Sequence, residues 1–199
     1  MTIEKSIESK VDGRKQRSER SRELIIGATI DLINEGNLMP TAQEVSIRAD
    51  VGIRSVFRHF ADMDSLYATM NVVAVDIFNK LYEGTQPSGT LNERIQQTVT
   101  LYHKGFEENK YMLLTTMVRR TESNLLVKQY REAMSDLEKD FQRRVPEVLD
   151  MPEAVRNGVA AARSFTTYDR LRHLQGLSQK KTIAAVTTMI TSLMNHHAS

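Results

Sequence analysis

Apolar residues recur along this chain at three- and four-residue steps almost from end to end, the period of helices that bury one face. From Ser18 to Gly36 the stripe is Leu24 or Ile25, then Ala28, Leu32 and Ile33, and Gly36 supplies a left-handed stop. A short second helix opens at Pro40 and Thr41. Thr41 and Glu44 have the spacing of a capping box, the hydroxyl accepting from the N3 amide and the carboxylate reaching back. Ala42, Val45 and Ala49 form its narrow inner face. Asp50 is a tolerable left-handed turn residue, and Gly52 makes a loose N-cap for a third helix from Ile53 to Phe60. That helix turns Val56 and Phe60 inward and leaves Ile53, Arg54, Ser55, Phe57 and Arg58 facing outward. A short helix, a tight turn and a second short helix with a basic outer face can be laid into the major groove of DNA.

The remaining chain is helical and chemically quiet. A fourth helix, opened by Asp62 or Asp64, carries Leu66, Tyr67, Met70, Val73, Ile77 and Leu81. The run GTQPSGT (84–90) breaks it. Leu91 to Glu107 predicts a fifth helix with Ile95, Val99, Tyr102 and Phe106 on one face. Tyr111 to Arg119 predicts a sixth and Ser123 to Arg144 a seventh that stops before Pro146. Pro152 at a helix N1 position opens an eighth through Leu174. Ser178, after Gly176, caps a ninth to Asn195. No segment alternates as a strand and no repeat is visible. The expectation is an all-α protein of about nine helices. Residues 1–17 would form a flexible basic arm, 18–61 a three-helix helix-turn-helix domain, and 62–199 a helical body.

Composition adds bounds to this picture. The chain has 199 residues and a net charge of only +2, too little to announce nucleic-acid binding by itself. Its distribution says more: Arg14, Lys15, Arg17, Arg20 and Arg22 crowd the segment just before the helix-turn-helix, against Glu19 alone. Arms of this kind reach phosphates or the minor groove in other small helical readers. Cysteine is absent, which excludes disulfides and thiolate metal sites and fits a reducing cytoplasm. The first residues carry charges where a secretory signal would be apolar, and no apolar run is long enough to span a bilayer. A cytoplasmic protein without a membrane anchor is expected.

The run Val51 to Leu66, VGIRSVFRHFADMDSL, resembles the end of the DNA-binding region of TetR-family transcriptional regulators. Those proteins commonly read A-G-V-S-x-x-T-[LIV]-Y-x-[HY]-F-x-x-K-[ED]-x-L there. Ala49, Val51, Val56, Arg58, His59, Phe60, Asp64 and Leu66 match. The resemblance covers residues 18–70 well, and the rest only in length, helicity and the closing Gln175-Gly176-Leu177-Ser178 before a last amphipathic helix. The departures are specific. Asp50 stands where the family has a turn glycine, Gly52 where it has a capping serine, Ser55 for threonine and Phe57 for tyrosine. Met63 replaces a lysine that often contacts a phosphate.

Roles follow residue by residue. Arg54 lies at the front of the third helix, and its fork matches guanine O6 and N7. Ile53 is placed to pack a thymine methyl, and Phe57 is divided between core and an apolar base contact. Ser55, Arg58 and His59 suit phosphates, as do Arg14, Lys15 and Arg17 of the arm. The resemblance implies that Thr41 touches a phosphate while it caps. It also implies double-stranded DNA as partner, a homodimer through the last two helices, and a body enclosing an apolar cavity for a small-molecule effector. Tyr67, Met70, Tyr102, His103, Phe106, Met112, Thr116, Met117, Tyr130, Met134 and Phe165 are the candidates to line it, with Arg119 a further polar residue nearby. Ile183, Val186, Ile190 and Leu193 step 3, 4, 3 along the last helix as the seam of a helix pair. Ala154, Gly158, Ala161, Ala162 and Phe165 belong to a helix whose small side chains let another helix approach.

Enzyme chemistry finds no foothold. A di-iron site in a helical bundle needs Glu-x-x-His pairs. The residues three before the five histidines are Val56, Thr100, Arg170, Leu193 and Met194. No nucleophile elbow, phosphate loop or dinucleotide fingerprint is present. No cofactor and no metal are expected. The expected function is a ligand-responsive transcriptional regulator, a repressor released from a palindromic operator by a small, largely apolar molecule. The alternative is a helical-bundle interaction protein that keeps the motif without specific DNA binding.

Overall fold

The computed structural model describes residues 3–121 and 123–195, with side chains described for all of these except 3–12, 14, 74, 77–79 and 81. Arg14, Ile77 and Leu81, named above for their side chains, therefore lie outside the described side chains. Ten α-helices and no strand occur among the described residues. In chain order they are α1 (Ile3–Asn34), α2 (Ala42–Arg48), α3 (Ile53–His59), α4 (Met63–Tyr82), α5 (Leu91–Glu108), α6 (Lys110–Arg119), α7 (Asn124–Arg144), α8 (Glu153–Ala162), α9 (Phe165–Asp169) and α10 (Gln179–Asn195). A 3-10 turn (Pro146–Asp150) precedes α8, and a π turn (Arg170–Leu174) follows α9. None of the helices is long and apolar enough to cross a membrane, among the described residues.

The chain divides into two compact units, Met1–Val73 with Leu114–Val127, and Ala74–Leu113 with Lys128–Ser199. In the first, α1 packs on α2 and α3. Ile25, Ala28 and Ile33 of α1 meet a core that includes Val45 and Ala49 of α2 and Val56 and Phe60, all buried. Ile25 wins over Leu24, which is exposed. Helix α1 begins at Ile3, so Lys15 and Arg17 ride on a helix where a flexible basic arm was expected. Arg17 Nε donates back to Gly13 O at 2.9 Å.

The capping box forms as expected. Glu44 N donates to Thr41 Oγ1 at 3.3 Å, and Thr41 N donates to Glu44 Oε2 at 2.7 Å. These bonds hold the Glu44 carboxyl below its ordinary range, the Thr41 amide contributing most. Thr41→Ala should lower stability by about 0.5–2 kcal/mol, while Thr41→Ser should restore most of it. Equal midpoints for all three proteins in urea unfolding would show that the cap carries no stability. At the far end of α2, Asp50 takes φ 52°, and Val51 N closes the turn on Ser46 O at 3.0 Å. Gly52 caps α3 without any side-chain bond.

The first unit reaches further along the chain than the boundary expected at residue 61. Tyr67 on α4 donates from its hydroxyl to Pro40 O at 3.1 Å, and Thr115 Oγ1 on α6 donates to Leu38 O at 3.1 Å. Arg119 pairs with Asp64 and lies over the Tyr67 ring, 4.6 Å from its centroid. Thr116 Oγ1 donates to Asn71 Oδ1 at 2.9 Å. The loop between α1 and α2 is thus tied to α4 and α6 through groups 27 and 77 residues away in sequence.

The second unit is built on α5. Thr90 and Glu93 form another capping box at its start. Its buried face is Ile95, Val99, Tyr102 and Phe106, as the periodicity predicts, joined by Thr98 and His103. Helix α10 packs against α5 and α8 through Thr182, Val186, Ile190 and Met194. The eighth helix expected to run unbroken to Leu174 instead ends at Ala162. Arg163 turns inward, pairing with Glu138 and stacking over Phe141 at 4.8 Å, and Ser164 caps α9 by accepting from Thr167 N at 3.2 Å.

Candidate nucleic-acid interface

Helix α3 is short, and its inner side is occupied by Val56 alone. Its outer side carries two parallel ridges, because residues four apart share a face and neighbours in sequence are about 100° round. One ridge is apolar: Ile53 is 39% exposed and Phe57 51%. The other is basic, Arg54 and Arg58, both exposed. Arg58 Nη2 donates to Ser55 Oγ at 3.3 Å, which holds that guanidinium along the helix. Arg54 has no hydrogen bond or ion pair among the described residues, so its fork is free to be used. No acidic residue stands between Val51 and Ala61.

Around α3 the arginines are divided by what they touch. Arg22 lies over the Phe60 ring at 5.3 Å and steadies the end of the helix. Arg48 forms a two-pronged bridge to Glu35 at 2.7 and 2.8 Å, joining α2 to α1. Neither contact is foreseeable from spacing. His59 is half-buried, with Nε2 enclosed and unpartnered among the described residues. Burial, then the charges of Arg58 and Arg22, hold its imidazole below the ordinary histidine range. The expected phosphate contact is left to the rest of that ring. Thr41 remains exposed while it caps α2. Lys15 is exposed on α1.

The residues expected to line one apolar cavity fall into two groups. Tyr67, Met70, Thr116 and Met117 belong to the first unit, and Tyr102, His103, Phe106, Met112, Tyr130, Met134 and Phe165 to the second. Burial pushes the Tyr67 hydroxyl up to about 12. Phe106, Phe165, Tyr168 and His103 make one aromatic cluster with ring centroids 4.9–6.0 Å apart. Neither His103 nitrogen has a partner among the described residues, and burial, aided by Arg172, pushes the ring down to about 4. Tyr102 is committed elsewhere, donating to Asp140 Oδ2 at 2.9 Å.

The residues expected at a subunit seam also separate. Val186, Ile190 and Phe165 are buried inside the second unit, as is Ala162, so they are corrected to internal core. An apolar stripe has the same spacing whether it meets a helix of its own chain or of another. Ala154 and Ala161 remain exposed, while Gly158, Ile183 and Leu193 are half-buried. A Cβ added at Gly158 would stand 3.2 Å from Leu193 Cδ1, a tight contact that the Leu193 side chain would have to relieve by a few tenths of an ångström.

No family model matches the sequence, and no curated protein matches it. Solved structures do share the fold. A transcriptional regulator from Rhodococcus sp. Rha1 superposes with a TM-score of 0.67, at 14% identity, over 92% of this chain and 98% of its own. A protein assigned to the TetR-family transcriptional regulators, from Rhodococcus sp., gives 0.67 at 12% identity over 88% and 99%. One assigned as a transcriptional regulator, from Pseudomonas aeruginosa PAO1, gives 0.63 at 11% identity over 92% of each. The chain has the all-α fold of TetR-like regulators, with a helix-turn-helix unit followed by a helical body.

Proposed function

We propose that this chain is a ligand-responsive transcriptional regulator that binds a palindromic operator as a homodimer and is released by a small, largely apolar effector. The observation that carries it is the outer side of α3, where an unpaired Arg54 stands on a helix free of acidic residues and backed by a capped, tightly turned α2. A single seven-residue helix reads few base pairs. A two-fold dimer doubles the site, with half-sites about 34 Å apart or a multiple of that.

The exposed remainder of α8 and α10 supports the dimer. From Thr182 to Asn195 no charged residue occurs, and Ala154, Ala161, Ala184, Thr188 and Met189 are exposed there. Ala161→Glu, at a position exposed in the protomer, should halve the mass measured by light scattering from twice 22.7 kDa to that of one chain. A single-chain mass for the unaltered protein at micromolar concentration would overturn the dimer.

The effector would act through α4, which starts in the first unit and runs on into the second. It can shift the protein between operator-binding and released forms only by its difference in affinity for the two. Selection of bound duplexes from a random pool is the direct test. A palindromic consensus is expected. If no sequence is enriched, α3 is an interaction surface of another kind. Phe57 and Met63, which lack the hydroxyl and ammonium of their family counterparts, favour that second outcome over a merely weak operator.

A further inference from the structure

We propose that the second unit holds an uncharged, hydroxyl-bearing aromatic molecule, a phenol or aryl alcohol, hydrogen-bonded to His103 among Phe106, Phe165 and Tyr168. The inference rests on the effector response proposed above and names the chemistry of the guest. His103 is 1% exposed, yet neither of its nitrogens has a partner among the described residues. Buried polar side chains are seldom left so, because each unmet group forfeits its hydrogen bond to water. The walls around it are aromatic. The Tyr168 ring stands edge-on at 4.9 Å and the Phe106 ring at 6.0 Å, while Phe165 lies 5.6 and 5.9 Å from Phe106 and Tyr168. Such walls suit a flat apolar body.

Charge decides the polar end of the guest. Arg172, on the π turn after α9, is the cation whose field reaches the His103 ring, and it is already matched. Glu107, one turn after His103 on α5, accepts from Arg172 Nη2 at 3.2 Å and from the Tyr168 hydroxyl. A buried anion would find no further counter-charge, and a cation would face Arg172. The imidazole, pushed down to about 4, is neutral as well, with one N–H donor and one bare acceptor. A hydroxyl both donates and accepts, so it meets either nitrogen. Its oxygen also suits Arg172 Nε, which is enclosed and unpartnered among the described residues.

Three probes of one shape, 2-naphthol, naphthalene and 2-naphthoate, test this. The chain has no tryptophan, so naphthyl emission can be titrated with the full-length protein in the absence of DNA. 2-Naphthol should bind about tenfold more tightly than naphthalene, the worth of one good hydrogen bond, and more tightly than 2-naphthoate. His103→Phe keeps a ring in place and should reduce 2-naphthol to the affinity of naphthalene. In the unaltered protein 2-naphthol should shift an imidazole nitrogen resonance of His103, a reading that needs no variant. Equal affinity for 2-naphthol and naphthalene would overturn the His103 contact and leave an apolar effector standing. Preference for 2-naphthoate would overturn the uncharged guest, and no binding by any of the three would overturn the site. 2-Naphthol held by His103 that leaves the selected operator duplex bound would uphold the site and remove the effector response from it.

Discussion

Asp140→Ala should destabilise the folded protein by about 3–5 kcal/mol, the largest loss expected of any single substitution considered for this chain. Asp140 lies on α7 with its carboxylate almost wholly enclosed, and it faces Arg144, one turn on, which is equally buried. Arg144 Nε donates to Asp140 Oδ2 at 2.6 Å, and Tyr102 on α5 donates to the same oxygen at 2.9 Å. The rest of the guanidinium is satisfied by the end of α4 and the loop after it: Nη2 donates to Tyr82 O at 2.9 Å and Nη1 to Thr85 O at 2.8 Å. Burial, and then the Asp140 charge, push the Tyr102 hydroxyl well above the ordinary phenol range, so it stays protonated and keeps donating. Removing the carboxylate leaves a full positive charge out of water with only neutral acceptors. Chemical unfolding of the variant should show a lower midpoint. Asp140→Leu combined with Arg144→Met should regain much of the loss, because two apolar groups leave no uncompensated charge. A double variant no more stable than Asp140→Ala would show that packing, not charge, is what the site supplies.

Arg54→Ala should raise the operator dissociation constant by an amount equivalent to about 1–3 kcal/mol and relax preference at one base pair in each half-site. The side chain is exposed on α3 and unpaired among the described residues, so its removal disturbs no contact within the fold. Stability should therefore stay within about 0.5 kcal/mol of the unaltered protein, which separates a reading role from a structural one. Affinities measured against duplexes changed one base pair at a time decide the question. A uniform loss across all sequences, with a shallower dependence on salt, would make Arg54 a phosphate contact instead.

The helix-turn-helix was legible in the sequence because every signal for it is local. Gly36, the Thr41–Glu44 box, Asp50 and Gly52 sit within a few residues of the turns they make, and each does in the structure what its chemistry predicts. The exposed outer side of α3 follows from the same short-range periodicity. What escaped is non-local. Asp140 and Arg144 stand one turn apart on a charged helix, and nothing short of tertiary packing says that both are enclosed. The end of α8 was hidden for a similar reason. Arg163 pairs with Glu138, 25 residues away, and the Ser164 cap then starts a new helix. On α10, Val186 and Ile190 fit an internal stripe and a subunit seam equally well, and α5 decides for the former.

Because the first unit includes Leu114–Val127, its order of synthesis and its order of assembly differ. The helices through Val73 are made first, yet Arg119, Thr115 and Thr116 must follow before Asp64, Leu38 and Asn71 find their partners. At about 5–20 residues per second, the intervening chain takes roughly 2–8 s to emerge. During that interval Leu66, Tyr67 and Met70, which end up buried, await their cover. A nascent chain stalled short of Arg119 therefore carries α2 and α3 already made but a unit not yet closed. Helix α6, made about 40 residues after the helices it completes, is the last piece needed to close the first unit.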